Sequence, residues 1–327
     1  MEEKRPFSKD IIQLKDVEIV IDNICSKLKE DVLHVLRRKG GIVGISGGID
    51  SSVALALAVK AFGSENLLGV IMPENDSNPE SQILALKLAE KFGVKTVIED
   101  ISLALKGFQC YSRRDEAVKR VIQNYNPKTD KMKIGIPNIT AENNLPPVFH
   151  VTVIFANGIQ ESKRLPMNEY LQIIAASNFK QRSRMSMLYY YADMLHYAVI
   201  GTPNKHEYKQ GFFVKNGDGA GDIMPIINLY KTQVYQLAFH LGIPDEIINR
   251  TPTTDTYSAE QTQEEFFYQM PFELMDIYWY GFENGYLTND VATVMGVTEE
   301  RVIALFRNFE RKTKTTEYLR MISINDF

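Results

Sequence analysis

The stretch that decides the fold is GGIVGISGGIDSSVALALAVKAFG, residues 40–63, which places a glycine-rich turn between an apolar strand and a helix. Backbone N–H groups in such a turn, with the positive end of the following helix, favour an anion such as phosphate. No lysine follows the glycines and the spacing is not GxGxxG, so the turn is neither a P-loop nor a dinucleotide fingerprint. Asp50 would repel phosphate unless a divalent cation lay between them, so the turn predicts a magnesium-bound pyrophosphate.

The chain around this turn alternates between predicted strands and helices. The predicted strands are 41–46, 66–73, 94–101 and 198–202. The predicted helices are 17–38, 51–62, 77–93, 184–197 and 228–242. This alternation indicates an α/β fold with a doubly wound, mostly parallel sheet flanked by helices, which is Rossmann-like in type.

We expect a single domain over residues 1–327, with an insertion at about 107–176 and a helical tail at about 271–327. Within the insertion, PPVFHVTVIFANGIQESKRL (146–165) has two alternating runs around Asn157-Gly158, which predicts a β-hairpin. The tail has the pattern of two or three helices with a basic end.

Composition excludes several function classes. The formal net charge of -4 supplies no general attraction to nucleic acid, and no apolar run is long enough to span a bilayer. The charged N-terminus does not resemble a signal peptide. Cys25 and Cys110 are far apart and predict neither a disulfide nor a zinc site. We therefore expect a cytoplasmic protein without nucleic-acid or membrane partners.

The sequence GISGGIDSS resembles the pyrophosphate-binding loop of the N-type ATP pyrophosphatases, which form an adenylate and release pyrophosphate. Five further blocks resemble the ammonia-dependent NAD synthetase family within that superfamily. In chain order they are IMPENDSNPES, NFKQRSRM, VIGTPNKHE, FFVKNGDGAGDIMPIINLYKTQV and PTTD. They cover most of the chain outside the insertion, and such an ordered set is far more specific than one motif.

The resemblance implies an ATP and magnesium site. The residues implied for ATP are Gly44, Ile45, Ser46, Gly47, Gly48, Ile49, Asp50, Ser51, Ser52, Met72, Thr202, Lys231 and Thr253. Asp50 and Glu207 match the acids that bind magnesium. Arg182, Lys215 and Asp222 match positions that bind deamido-NAD, and Arg311-Lys312 stands where relatives carry a His-Lys pair that reaches this substrate. An arginine at that place retains the capacity to hold a phosphate.

The implied reaction begins with attack of a substrate carboxylate on the α-phosphorus of ATP, and ammonia then attacks the acyl-adenylate. Lys231 and magnesium would offset the charge on the phosphates. Asp218 or Asp222, in a glycine-rich loop, is a candidate to orient ammonia or take a proton. No glutaminase is evident, so we expect free ammonia or a separate glutaminase as the donor, and a homodimer as in the family.

Two other functions remain open from the sequence. One is a related amide ligase that adenylates a different carboxylate, such as a sugar acid or a small metabolite, because the insertion and Arg311 depart from the family pattern. The other is a catalytically idle nucleotide-binding or scaffold protein. The presence of Asp50, Glu207 and Lys231 together argues against the latter, because a binding relic has no need of both metal acids.

Overall fold

The computed structural model describes residues 5–136, 148–253 and 256–323. Its central sheet has four parallel strands, β1 (Gly41–Gly44), β2 (Leu67–Ile71), β3 (Lys95–Ile98) and β7 (Ala198–Ile200). Their order across the sheet is β3-β2-β1-β7. The doubly wound parallel sheet predicted from the alternation of strands and helices is confirmed.

Helices cover both faces of this sheet. The helices on one face are α1 (Val17–Glu30), α2 (Ile49–Phe62), α3 (Pro79–Phe92), α8 (Lys231–His240) and α9 (Asp245–Ile248). The other face packs against α6 (Met167–Leu195). Successive strand residues alternate between the two cores: Val43 faces α2, and Ile42 faces α6. Helix α2 is apolar on nearly all sides because it is buried in the middle of its layer.

The predicted hairpin is confirmed, and it belongs to a small three-stranded antiparallel sheet. Its strands are β4 (Lys131–Gly135), β5 (His150–Ile154) and β6 (Gln160–Arg164). Gly158 has a φ of 83° in the turn between β5 and β6. The sequence did not predict β4 or the two helices before it, α4 (Ser102–Gly107) and α5 (Cys110–Val121). Pro146 and Pro147, which open the predicted run, lie outside the described residues.

Helix α6 begins at Met167, well before the predicted start at residue 184. Its first half packs against α5 and the small sheet through Ile173 and Ala176, and its second half packs against the central sheet through Leu188 and Ala192. Because the helix changes partners along its length, its apolar residues form no single stripe, and a sequence pattern based on one face misses its start.

The described part of the tail, up to residue 323, contains three helices and one further helical turn. They are α10 (Phe272–Glu283), α11 (Thr288–Met295), α12 (Glu299–Thr315) and α13 (Glu317–Arg320). Their common core includes Trp279, Val302 and Phe309, and it extends to Phe7 near the N-terminus and to Tyr230 before α8. None of the helices in the described part of the chain combines the length and apolarity needed to cross a bilayer.

Candidate active site

The glycine-rich turn leaves β1 at Gly44 and enters α2 at Ile49, and its shape depends on one glycine. Gly47 has a φ of 74°, and a Cβ atom there would lie 2.4 Å from the backbone oxygen of Ser81 in α3. Residues other than glycine rarely adopt this φ and have no room beside α3. The turn therefore packs directly against the start of α3.

Serine hydroxyls shape this turn from within. The hydroxyls of Ser46 and Ser51 lie 3.0 Å apart, and Ser52 donates to the carbonyl oxygen of Gly48. Ile45 and Ile49 are buried and anchor the turn in the core. Within the described residues no side chain caps the N-terminus of α2, which leaves its first amide groups to solvent or to an anion.

Other predicted residues lie at the same edge of the sheet. Met72 follows the end of β2, and Thr202 lies two residues after the end of β7. The carboxyl ends of parallel strands meet at one edge, where ligands of open α/β sheets bind. Thr253 forms an isolated antiparallel bridge with Thr262. The last two residues of the PTTD block, Thr254 and Asp255, lie outside the described residues.

An ion pair between a buried lysine and a partly buried aspartate lies at the start of α2. Lys231, the first residue of α8, is fully buried and donates from Nζ to Oδ2 of Asp50. Asn204 donates from Nδ2 to the other carboxylate oxygen of Asp50, over 3.2 Å. Burial lowers the pKa of Lys231, but the charges of Asp50 and Glu207 more than offset this and raise that pKa overall. Lys231 is thus held as a cation.

Glu207 belongs to the same group through Asn204. This asparagine is the N-cap of α7 (Lys205–Gln210), and its backbone N–H donates to Oε2 of Glu207 over 2.9 Å. Burial, with the negative charge of Asp50, raises the pKa of Glu207 to about 8. A divalent cation would relieve the repulsion between Asp50 and Glu207, and their oxygen atoms suit magnesium. The described residues contain no cluster of three or more metal-ligating side chains, so phosphate and water would have to complete such a site.

Two of the predicted substrate residues are Arg182, in α6, and Lys215, in the glycine-rich loop that precedes Asp222. Arg182 donates from Nε to the backbone oxygen of Lys215 over 3.2 Å, which joins α6 to this loop. The Nζ of Lys215 is directed to the carbonyl oxygens of Tyr318 and Met321, 2.9 and 2.8 Å away. Lys215 therefore joins this loop to the end of the tail.

The two candidate aspartates of this loop differ in their surroundings. Asp222 accepts from the backbone N–H of Val199 in β7 with one oxygen and from the hydroxyl of Tyr189 in α6 with the other, so it joins the strand to the helix. Asp218 accepts from the backbone N–H of Val214, and burial raises its pKa to about 6. The proton affinity of Asp218 is thus moved toward neutral pH.

The adjacent residues Arg311 and Lys312 have different environments on α12. Arg311 is exposed, whereas Lys312 points inward, with Nζ 3.1 Å from the carbonyl oxygen of Phe267 and 4.5 Å from the centre of its ring. Burial, with a smaller contribution from Arg311, lowers the pKa of Lys312 to about 8. The structure thus separates the two side chains that the sequence treated as one pair.

Three polar residues around this site, Asn204, His206 and Asp276, were not among the site residues predicted from the sequence. Asn204 was detectable, because Asn-x-x-Glu before a helix is a capping box. His206 and Asp276 form a fully buried pair, and the sequence carries no signal that joins them because they come from distant elements.

Together, the parallel sheet, the glycine-rich turn and the buried lysine–carboxylate group define an α/β protein of the nucleotide-binding type, with a candidate anion site at the carboxyl edge of its sheet. The family model described as NAD synthase matches residues 20–136 and 136–321. The chain belongs to the NAD synthase family, and the resemblance deduced from its motifs is confirmed.

Relatives match nearly the whole chain. The NH(3)-dependent NAD(+) synthetase of Rhizobium meliloti is 46% identical over 315 residues, which is 96% of this chain and 93% of that protein. The protein of the same name from Mesorhizobium japonicum is 44% identical over 93% of this chain and 95% of its own length. An NH3-dependent NAD synthetase structure from Campylobacter jejuni superposes with a TM-score of 0.60 at 21% identity, covering 95% of this chain and 100% of that one. An NMN synthetase from Francisella tularensis shares the fold, with a TM-score of 0.63 at 21% identity and coverage of 95% and 98%.

Proposed function

We propose that this chain is an AMP-forming carbon–nitrogen ligase that makes NAD from deamido-NAD, ammonia and ATP. The name and 46% identity of the relative from Rhizobium meliloti support the choice of substrates. The observation that carries the chemistry is the grouping of Lys231, Asp50 and Glu207 beside the glycine-rich turn. A site that cleaves ATP needs a fixed cation and metal-binding oxygens where charge accumulates on the phosphates.

In this proposal the phosphates of ATP lie on the glycine-rich turn, and Thr202 and Thr253 contact the same nucleotide. The first amide groups of α2 and the helix dipole favour the anion. Lys231 balances the negative charge of the phosphates, and Asp50 and Glu207 would hold magnesium. The bound metal ion would supply Lewis-acid stabilisation of the phosphate oxygens.

The chain supplies no nucleophile of its own. A carboxylate oxygen of deamido-NAD attacks the α-phosphorus of ATP, and the bond to pyrophosphate breaks. Ammonia then attacks the carbonyl carbon of the adenylate, AMP leaves with the former carboxylate oxygen, and the nitrogen loses a proton. Asp218 suits the role of proton acceptor better than Asp222, because Asp222 uses both oxygens in structural hydrogen bonds and the pKa of Asp218 is near 6.

The remaining assignments follow the family resemblance. Arg182 and Lys215 would bind deamido-NAD, together with the exposed Arg311. We propose a homodimer, ammonia taken free or from a separate glutaminase, and a cytoplasmic location. The two cysteines are free and buried, which agrees with a reducing compartment.

The test is an assay with purified protein, magnesium, ATP and ammonium, in which NAD and AMP are separated by chromatography. Deamido-NAD, nicotinic acid mononucleotide and a sugar acid are offered in parallel. Asp50→Asn should lower kcat/KM by about 100-fold or more, because it removes a carboxylate that would hold magnesium beside the phosphates. Asp290→Asn, the same change at an exposed position of α11, is the control, and its kcat/KM should match that of the wild type.

Equal formation of NAD and AMP from deamido-NAD supports the proposal. Turnover of another carboxylate in its place would establish the alternative amide ligase. ATP binding without turnover of any of these acids would point to an idle nucleotide-binding protein.

A further inference from the structure

A buried carboxylate in the tail contacts two helices of the candidate site, α7, which carries Glu207, and α8, which carries Lys231. Asp276 lies in α10 and is fully buried. One of its oxygens bonds to α8 and the other to α7. Because a buried carboxylate must have its hydrogen-bonding capacity filled, the positions of the two helices are tied to this one side chain.

The first contact is made with α8. Oδ2 of Asp276 accepts from the backbone N–H of Thr232 over 2.8 Å and from its hydroxyl over 2.6 Å. Thr232 follows Lys231 in the first turn of the helix. Asp276 thus acts as an N-terminal cap supplied by a distant part of the chain, where the helix dipole favours negative charge.

The second contact is made with α7. Oδ1 of Asp276 accepts from Nε2 of His206, because a carboxylate can only accept. The side-chain amide of Gln210 donates to the other ring nitrogen, 3.3 Å away, which fixes the imidazole as the Nε2–H tautomer. The rings of Tyr230, Tyr268 and Trp279 surround His206 with centroids 5.7 to 6.1 Å away. His206 immediately precedes Glu207.

We propose that Asp276 is a positioning residue that sets the placement of Lys231 relative to Glu207. It acts on Lys231 through Thr232 and on Glu207 through His206. The inference rests on the proposed function, in which Lys231 faces the phosphates and Glu207 faces magnesium. Displacement of the start of either helix would change the distance between the Lys231 ammonium and the carboxyl oxygens of Glu207. Reactions at phosphate depend strongly on such distances.

The decisive variant is Asp276→Asn, which keeps the size of the side chain but leaves one oxygen acceptor where there were two. We expect kcat/KM for ATP to fall about 10- to 100-fold, as for other residues that orient site groups. Tyr268→Phe is the matched control, because it removes a hydroxyl without a hydrogen-bond partner in the described structure from the same aromatic cluster.

Two further variants break one contact each and remain informative if Asp276→Asn does not fold. Thr232→Val should weaken binding of a non-hydrolysable ATP analogue with or without magnesium, because it acts beside Lys231. His206→Gln should mainly reduce the gain in affinity that magnesium gives, because it acts beside Glu207. Calorimetric titrations of the analogue measure both effects without turnover, and melting temperatures identify variants that are only less stable.

The inference is overturned if these variants lower the melting temperature but keep the analogue affinity, its magnesium dependence and kcat/KM at the values of Tyr268→Phe. Failure of the proposed function is a separate result. If the wild type makes no NAD but binds the analogue in a magnesium-dependent way, and Asp276→Asn weakens that binding, the positioning role stands and the choice of substrate falls.

Discussion

Glu207, beside the glycine-rich turn, has a carboxyl group with a raised pKa. Burial and the nearby charge of Asp50 raise the pKa of Glu207 from about 4.5 to about 8. The folded chain therefore holds a proton on Glu207 that the unfolded chain releases near pH 4.5. The stability that protonated Glu207 contributes is fully present below its unfolded pKa of about 4.5, and it is lost as the pH rises through its folded pKa of about 8.

Glu207→Gln tests this raised pKa, because glutamine keeps an acceptor for Asn204 but cannot ionise. Without ligands, we expect the variant to match the wild type in melting temperature at about pH 5 and to exceed it at about pH 8.5, where the wild type carries a buried charge. Thermal unfolding followed by circular dichroism checks this. A difference between the two proteins that stays constant over the range would contradict the raised pKa.

The glycine-rich turn gives a second prediction, based on two adjacent glycines. Gly47→Ala should destabilise the fold by more than about 1–2 kcal/mol, because its φ of 74° is strained for alanine and its Cβ would meet the backbone of Ser81. It should also abolish ATP binding. Gly48→Ala, at a φ of -92° with its nearest neighbour 3.3 Å away, should cost less than about 1 kcal/mol. Urea unfolding compares the two, and equal losses would refute the role of Gly47.

The site residues that could be predicted from the sequence include those that come just after the strands of the parallel sheet. Ser46, Met72 and Thr202 share one edge because parallel strands bring their carboxyl ends together. The His206–Asp276 pair was not predictable, because its partners are separated by 70 residues and meet only through the packing of α10 on α7 and α8. The bonds of Asp222 to Val199 and Tyr189 likewise depend on tertiary packing.

At the scale of elements, a buried ionic cluster joins α6 and α5 to the loop after β2. Lys180 in α6 donates to Glu74 and Asp76 over 2.9 and 2.6 Å and to the carbonyl oxygen of Thr256 over 3.0 Å. Arg114 in α5 pairs with the same Asp76. Burial would raise the pKa of Asp76, but the charges of Lys180 and Arg114 lower it overall. The cluster thus fixes the antiparallel sheet and its helices to the edge of the central sheet.

Lys180→Met should destabilise the protein by about 3–5 kcal/mol, because it leaves Glu74 without its buried cation. Lys27→Met is the control, because Lys27 is exposed where it pairs with Glu30 and Asp31. We expect this variant to lose less than about 1 kcal/mol of unfolding free energy. Urea unfolding measures both. Equal free energies of unfolding for the two variants would mean that the buried cluster contributes no more than a surface pair.

The elements differ in how far their sequences revealed them. The hairpin of β5 and β6 was predictable because Asn157-Gly158 lies between two alternating runs. Strand β4 was not, because its inward side carries only Met132 and Ile134, too few apolar residues to establish a period. The first half of α6 was missed because its apolar residues pack on different partners than those of the second half.

At the scale of the whole molecule, the tail core is continuous with the rest of the chain. Trp279 and Phe309 pack with Phe7 from the N-terminal segment and with Tyr230, the residue before α8. Asp276 adds polar contacts to α7 and α8. The tail is therefore packed against the helices that carry Glu207 and Lys231. We propose that residues 1–327 unfold as one domain.

The single tryptophan makes this proposal testable, because the fluorescence of Trp279 reports on the tail core alone, whereas circular dichroism reports on every helix. Leu57→Ala opens a cavity in α2, in the other core, and should cost about 2–5 kcal/mol. In one cooperative unit this change moves the urea midpoint of Trp279 fluorescence as far as that of circular dichroism. Phe309→Ala, beside Trp279 with ring centroids 4.8 Å apart, is the converse test and should also move both signals. If the fluorescence midpoint of Leu57→Ala equals that of the wild type, the tail is a separate folding unit and the chain does not unfold as one domain.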